Sequence, residues 1–321
     1  WVTPKVDWSH LVVGHSRFGV GVMSVVTTLR EYGRLPVRVV QRLFSALYGL
    51  SLSLGEIIGL SHRVAIRGSP TYQQLHTKLL AAACINADET NHRENGQSGY
   101  IWNFTTPTIR YYAYRLTRAG TVIDEVLGTE FQGVLTTDFY AAYSHLSCPH
   151  QRCWAHLLRD VKKLLLVYPE QTDLPVIQQK VSQFLHRAVV VQHKTLTLSE
   201  RHQARRKLET KLLKLVTPYL KQAEHPFHTL AKRIDYFLEE LFIFTLNPDF
   251  EPTNNAAERA VRHQVIKRMI SGGTRSAQGS NTQEILTTLF STWTLNNLNP
   301  LAECQKLLTT PNYATTFVQE L

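Results

Sequence analysis

The sequence predicts a mixed α/β protein, because helical periodicity fills both ends of the chain and strand-like segments lie between them. Residues 82–88 form an apolar run that leads to an acid, and residues 134–138 repeat that pattern. Between them, residues 99–105 alternate aromatic with polar side chains, as a half-buried strand does. Strands followed by alternating helices and strands indicate a mixed sheet covered by helices.

Composition restricts the function classes. The chain has 321 residues with 43% hydrophobic and 19% charged residues, which is typical of a globular protein with one elaborated domain or two. Thirty-five Lys and Arg against twenty-five Asp and Glu give a net charge of +10, which favours a polyanionic partner, nucleic acid above all. Four cysteines are too few for a disulfide scaffold, so we expect a reducing, cytoplasmic setting. No apolar run reaches membrane-spanning length, so no membrane contact is expected.

Residues 1–80 are predicted to form a helical N-terminal region. Helical spacing covers residues 22–32, 37–47 and 54–62, and Ser51 or Ser53 is placed to cap the third segment. Two helices joined by a glycine-containing turn have the outline of a helix-turn-helix, which would serve DNA binding or dimerisation. Ordinary helical bundles contain the same outline more often, so both interpretations stay open.

The rest of the chain divides into three predicted segments. Residues 81–169 hold the strands at 82–88, 99–105, 109–116, 134–138 and 150–153, with helices at 121–127, 140–146 and 155–167. Residues 170–250 are helical, at 174–191, 199–220 and 227–244, and carry a cationic surface. Residues 251–321 hold a helix that starts near 254, a polar glycine-bearing loop at 271–280, and helices at 282–296 and 300–308. That loop fits either a phosphate backbone or a simple helix connection.

Glu258 is the most unusual charge in the chain. It is the only acid between Glu251 and Glu284, in a predicted helix otherwise rich in cations. Asn254 and Asn255 precede it at the position where a helix is capped. A carboxylate in the first turn is favoured by the helix dipole alone, so this window by itself does not distinguish a functional acid from an ordinary one.

Two further acids favour a functional role for Glu258. Asp88 and Asp138 each follow an apolar strand-like run, and strand ends meet helix N-termini at one edge of such a sheet. Three carboxylates brought together repel one another unless a hard divalent cation is bound between them. Two such ions would support phosphodiester cleavage or transfer.

Four short motifs carry a resemblance to a known family. They are DET at 88–90, TDFYAAY at 137–143, CWAH at 153–156 and NNAAERAVR at 254–262. Over residues 17–308 the chain resembles the DDE transposases of the insertion sequence 66 (IS66) family, and the last motif is the most specific. The resemblance implies a ribonuclease H-like core with a large all-helical insertion between the second Asp and the Glu. It also implies metal-dependent cleavage at the ends of a bacterial insertion sequence, followed by strand transfer.

The resemblance also implies roles for particular residues. Asp88, Asp138 and Glu258 would be catalytic ligands of Mg²⁺ or Mn²⁺, two ions per site, and His156 would contact the scissile phosphate. Implied partners are terminal-repeat and target DNA, a dimer or higher oligomer on DNA, and accessory proteins of the element, in the cytoplasm near the nucleoid. The DNA contacts are assigned to Arg259, Arg262, Lys267, Arg268 and Arg275.

Three alternatives remain at this stage. In the first, the chain is a catalytically silent DNA-binding derivative. In the second, it is another two-metal nuclease on the same core. Separately, Cys148, His150, Cys153 and His156 have spacings short enough for a tetrahedral zinc site. Members of the family usually carry a cysteine-rich segment ahead of this region, and because the chain opens on Trp1 we expect it to be truncated there.

Overall fold

The computed structural model describes residues 16–321, which form one five-stranded mixed sheet and twelve α-helices. Residues 1–15 of the predicted helical region lie outside the described part. The strand order is β3-β2-β1-β4-β5, and β4 runs parallel to both β1 and β5. The strands are β1 (Cys84–Glu94), β2 (Gln97–Thr105), β3 (Arg110–Arg115), β4 (Val134–Thr137) and β5 (His150–Arg152).

Strand β1 is longer than predicted and contains Asp88 in its interior. The expectation that the first strand ends at Asp88 is wrong, since pairing continues to Glu94. Asn95 and Gly96 then form a two-residue turn with φ of 48° and 82°, and β2 returns beside β1. Two positive φ values suit Asn-Gly, which is the strongest short hairpin signal. The second half of β1 is polar because much of it is only half-buried.

The described chain divides into two compact units, of which the first comprises residues 16–82, 89–122 and 259–321. The predicted helix at 54–62 continues to Leu80, so its predicted end is wrong. Ser53 caps it by accepting from the Glu56 N–H at 3.1 Å. A buried face outweighs the poor helix propensity of Pro70. The helices of this unit include α1 (Val20–Glu31), α2 (Val37–Tyr48), α3 (Leu54–Leu80), α10 (Ala277–Leu295), α11 (Pro300–Thr309) and α12 (Tyr313–Glu320).

The second unit comprises residues 83–88 and 123–258, and its helical part has its own apolar core around Trp154 and Phe242. The helix predicted at 227–244 ends at Tyr236 and is followed by two short 3₁₀ turns, and the helix predicted at 140–146 is a single 3₁₀ turn, Ala141–Tyr143. Its helices are α5 (Trp154–Val167), α6 (Leu174–Gln192), α7 (Leu198–Val216) and α8 (His228–Tyr236). Helices α4 (Thr121–Leu127) and α9 (Asn255–Ser271) each contribute residues to both units.

Within residues 16–321, no helix combines the length and the apolar character needed to cross a bilayer.

Arg152, at the end of β5, fixes the segment that follows β4. Its side chain is fully buried, and one guanidinium N–H group donates to the carbonyl of Asp138 at 2.9 Å. The same guanidinium donates to Thr137 Oγ1, Ser144 Oγ and the carboxylate of Glu240. A buried cation needs such a complete set of acceptors. Asp138 is therefore held in place by a buried polar network.

Asn254 joins α9 to β1. The residue is buried, and its Nδ2 donates to the carbonyl of Ala87 at 2.7 Å, while Oδ1 accepts from Asn86 Nδ2 at 3.2 Å. Its carbonyl accepts the first helical bond, from the N–H of Glu258. The predicted position just before the helix is confirmed, and the side chain bonds to the strand. Its neighbour Asn255 is exposed.

We expect Arg152→Met to lower the free energy of unfolding by about 2–3 kcal/mol, because it removes charged hydrogen bonds from buried acceptors. Chemical denaturation gives the value. Arg233→Met is the matched control, since the Arg233–Asp160 pair is partly exposed and its loss should cost about 1 kcal/mol or less. Equal losses in the two variants would contradict the role assigned to Arg152.

We expect Asn254→Ala to cost about 1–3 kcal/mol, because it removes the buried side-chain hydrogen bonds to the Ala87 carbonyl and from the Asn86 amide. Asn255→Ala should stay within about 0.5 kcal/mol, as for an exposed substitution. Thermal or urea unfolding of both variants compares the two adjacent asparagines directly. A larger loss in Asn255→Ala would show that Asn255, and not Asn254, fixes the start of α9.

Candidate functional site

Asp88 lies in β1, and Asp138 directly follows the neighbouring parallel strand β4. The register pairs Cys84 with Val134 and Asn86 with Thr136, an offset of 50 positions that also separates Asp88 from Asp138. Asp138 directly follows β4, and its Oδ1 accepts from the N–H of Tyr140 at 2.8 Å. Both residues are half-buried. The register ends two residues before the acids, and among the described residues Asp88 and Asp138 do not form a close group of metal ligands with Glu258.

Glu258 lies in the first turn of α9, one turn after Asn254. Its side chain is about a quarter exposed. Oε1 is 3.5 Å from Nδ1 of His156, and Oε2 is 3.7 Å from Nη2 of Arg159. The two carboxylate oxygens thus face different neighbours. The residue retains solvent access on one side only.

Cys153 and His156 start α5, where the Cys-x-x-His spacing places them in one turn. Cys153 precedes the helix and is fully buried, and its Sγ accepts from the backbone N–H of Asn254 at 3.1 Å. Burial raises the pKa of the Cys153 thiol, while that N–H and those of His156 and Ala155 lower it. The sulfur therefore sits in an environment with several donors directed at it.

One cluster of potential metal ligands stands out. Sγ of Cys153, a ring nitrogen of His156 and a carboxylate oxygen of Glu258 lie within 4.8 Å of one another, the sole such group of three found among residues 16–321. Within that same part of the chain, Nδ1 of His156 and Oε1 of Glu258 are buried and make no hydrogen bond. Two of the three residues thus offer a ligand atom that makes no hydrogen bond within the described chain.

The four-residue zinc alternative is wrong in its membership. Among the described residues, Cys148 and His150 do not join Cys153 and His156 in that cluster. His150 is in β5, where its Nδ1 lies 3.4 Å from Nη2 of Arg152. Burial, with Arg152 beside it, lowers the pKa of His150 to about 4. Cys148 and His150 are thus outside the cluster, and Glu258, from a distant part of the chain, joins Cys153 and His156 instead.

The five cations assigned to DNA have different environments within the first unit. Arg259, Arg262 and Arg275 are exposed. Lys267 is largely buried and pairs with Glu31. Arg268 donates to the backbone carbonyl of Asn91 in β1. Three of the five thus present their charges to solvent, and two are engaged by other groups of the protein.

Sequence reasoning missed Arg152 and Arg159 and gave Asn254 a different role. Arg152 carried a usable signal, because a charged residue inside a predicted core strand must find buried partners. Asn254 was assigned to capping, and its bonds to β1 depend on how a distant strand packs. Arg159 lies beside Glu258 because it follows His156 on α5, which becomes visible only when α5 and α9 are placed together.

Comparison with known proteins agrees with the motif evidence. No curated protein matches the chain. A family model described as the transposase IS66 family matches residues 15–282. That match covers most of the 321 residues, including both strand aspartates, the Cys-x-x-His pair and the start of α9. The chain therefore belongs to the IS66 family of transposases.

Proposed function

We propose that this protein is a DDE transposase, in which Asp88, Asp138 and Glu258 form the catalytic acid set. The observation that carries the proposal is the hydrogen bonding of Asn254 to Asn86 and Ala87, next to Asp88 on β1. It joins the start of α9, which carries Glu258, to the strand that carries Asp88. The 50-position offset of the β1–β4 register also separates Asp88 from Asp138. These two observations support a common site for acids from three separate segments.

The sheet supports a ribonuclease H-like core for this reaction. The order β3-β2-β1-β4-β5 combines a hairpin-linked half with a parallel half. We place residues 81–169 and 251–321 in this core and residues 170–250 in a helical insertion. Residues 1–80 would form a helical region for DNA binding or dimerisation.

We infer from the chemistry of its donor atoms that the acid set would bind Mg²⁺ or Mn²⁺. Carboxylate oxygens are the ligands that these hard ions prefer, and the buried Oε1 of Glu258 has no hydrogen-bond donor among the described residues. Asp88, Asp138 and Glu258 would hold two ions. When bound, such ions activate an attacking water or 3′-hydroxyl and neutralise charge on the leaving oxygen.

The surrounding residues would position the DNA. His156, next to Glu258, is placed to donate a hydrogen bond to the scissile phosphate, a contact that strengthens as charge develops. Arg259 and Arg262 continue α9 beyond Glu258 and are exposed, as phosphate contacts must be. We also propose Arg275, which is exposed, together with Lys267 and Arg268, which would first have to leave their contacts with Glu31 and with the Asn91 carbonyl.

The proposed setting follows from the same reaction. The substrates would be the terminal repeats of the element and a target DNA, bound by a dimer or higher oligomer with accessory proteins of the element. The net charge of +10 supports a DNA partner. We place this activity in the bacterial cytoplasm, at the nucleoid.

We expect Asp88→Asn, Asp138→Asn and Glu258→Gln each to lower the rate of DNA nicking by about 10²-fold or more. Losing an ion that contributes several kcal/mol of transition-state stabilisation has at least that effect. The assay follows cleavage and joining of labelled terminal-repeat DNA with Mg²⁺ or Mn²⁺. Binding of the same DNA in a gel-shift assay should survive in all three variants.

The matched control is Glu251→Gln, which removes an exposed acid seven positions before Glu258 and should leave nicking unchanged. Nicking that persists in all three acid variants would refute the catalytic set. Wild-type DNA binding without any nicking would favour the silent DNA-binding derivative. Nicking without joining to target DNA would favour a two-metal nuclease.

A further inference from the structure

The cluster of Cys153, His156 and Glu258 has the spacing of a tetrahedral metal site. Nδ1 of His156 and Oε1 of Glu258 are 3.5 Å apart, which is too long for a good hydrogen bond. Two ligands about 2.0–2.2 Å from one tetrahedral Zn²⁺ lie about 3.4 Å from each other. The Cys153 sulfur, within 4.8 Å of a ring nitrogen of His156 and of a carboxylate oxygen of Glu258, supplies a third ligand. The pair is therefore spaced for a shared ion.

Two of the three ligand atoms, one on His156 and one on Glu258, also make no hydrogen bond within the described chain. Nδ1 of His156 and Oε1 of Glu258 are buried and make no hydrogen bond. Buried polar atoms without partners are rare in folded proteins and call for a partner that protein atoms do not supply. Oε2 of Glu258 faces Arg159 instead, at 3.7 Å. This leaves Oε1 as the oxygen available to an ion.

The sulfur has the surroundings of a metal-binding thiolate. The backbone N–H of Asn254 donates to Sγ at 3.1 Å. Cys153 also precedes the first turn of α5, a 14-residue helix whose N-terminus favours negative charge. Hydrogen bonds to a ligand from its neighbours orient it and are a regular part of metal sites.

We propose that Cys153, His156 and Glu258 form a binding site for a thiophilic divalent cation such as Zn²⁺, with a fourth position for water or phosphate. Cys153 loses its thiol proton to solvent as the sulfur–metal bond forms, His156 binds through Nδ1, and Glu258 binds through Oε1. The thiolate and carboxylate balance the two charges of the ion. A thiolate ligand suits Zn²⁺, Cd²⁺ or Co²⁺ and not Mg²⁺.

This site shares Glu258 with the catalytic set, so Zn²⁺ bound there takes that carboxylate away from Mg²⁺. Zinc is then an inhibitor of the DNA reaction. This consequence rests on the proposed function, whereas the existence of the site does not. The two are therefore tested separately, by metal binding and by zinc inhibition.

Metal binding is tested with Co²⁺ alone, added to the purified protein under reducing conditions. Co²⁺ in a tetrahedral site with a thiolate gives an ultraviolet charge-transfer band and intense visible bands. We expect the wild type to show both with one equivalent bound. Cys153→Ser should lose the charge-transfer band, and His156→Gln should weaken Co²⁺ binding by about 10²-fold or more, since even neighbours of a ligand contribute 10–100-fold.

The matched control is Cys148→Ser, which changes a nearby buried cysteine outside the cluster and should keep the full spectrum. Circular dichroism confirms that each variant is folded, and the partly exposed His156 provides a second variant if Cys153→Ser does not fold. A charge-transfer band that survives in Cys153→Ser, or one that depends on Cys148, would overturn the site. A wild-type protein that shows no band with Co²⁺ would overturn it as well.

The inhibitory role is tested by titrating Zn²⁺ into the Mg²⁺-dependent nicking reaction, with each protein normalised to its own rate without zinc. Zinc should inhibit the wild type and Cys148→Ser at the same concentration, and Cys153→Ser should need about 10-fold more. Equal sensitivity in all three proteins would refute the inhibition. A protein that gives the Co²⁺ spectrum but never nicks DNA would retain the metal site and lose the proposed function.

Discussion

A single buried asparagine, Asn254, connects the three segments that carry the candidate site. Its amide bonds to Ala87 and Asn86 in β1, its N–H donates to Cys153 before α5, and its carbonyl accepts from Glu258 in α9. Because Asn254 is buried, each of these bonds replaces one that water would otherwise make, and losing any of them leaves a costly unpaired group. The relative positions of strand and helices are therefore specified at one residue.

Arg152 specifies the remaining acid in a comparable way. Its guanidinium bonds to the Asp138 carbonyl and to Glu240, and it lies over the ring of Phe237, with its central carbon 4.5 Å from the ring centroid. Buried polar groups of this kind add less stability than apolar packing would, but their hydrogen bonds can form in only one arrangement of the surrounding residues. We infer that the buried hydrogen bonds of Asn254 and Arg152 serve to orient Glu258 and Asp138, and not only to stabilise the second unit.

Much of the fold could be predicted from periodicity, and the failures have identifiable physical causes. Apolar spacing predicts helices α1, α2 and α6 and strands β3 to β5, because it can be recognised without knowing which distant segments pack together. Helix α3 was predicted too short because Gly59, Gly68 and Pro70 lower helix propensity locally, while burial of its apolar face decides the outcome. The prediction ends strand β1 at Asp88 because the second half of the strand is polar, although Asn95-Gly96 indicates the hairpin.

The candidate site was less predictable than the fold, because its key contacts join residues far apart in the sequence. The motifs identify Asp88, Asp138, His156 and Glu258 one by one, without showing which of them lie close together. Nothing local indicates that Asn254 bonds to β1, 167 positions away, or that the Cys153 sulfur accepts from Asn254, 101 positions away. Local patterns identify candidate side chains, whereas their grouping depends on which strand meets which helix.

The position of Glu258 has a chemical consequence for which ion is bound. In the proposed arrangement this carboxylate lies between oxygen ligands on the strands and a sulfur–nitrogen pair on α5, and its Oε1 can serve only one ion at a time. An ion that accepts oxygen alone must use Asp88 and Asp138, whereas one that prefers sulfur and nitrogen uses Cys153 and His156. Intrinsic affinity favours the second type of ion at such ligands, so availability of the metal, more than affinity, would decide which set is occupied. The same buried contacts that would place the acid for the proposed catalysis would thus also place it within reach of an inhibitory ion.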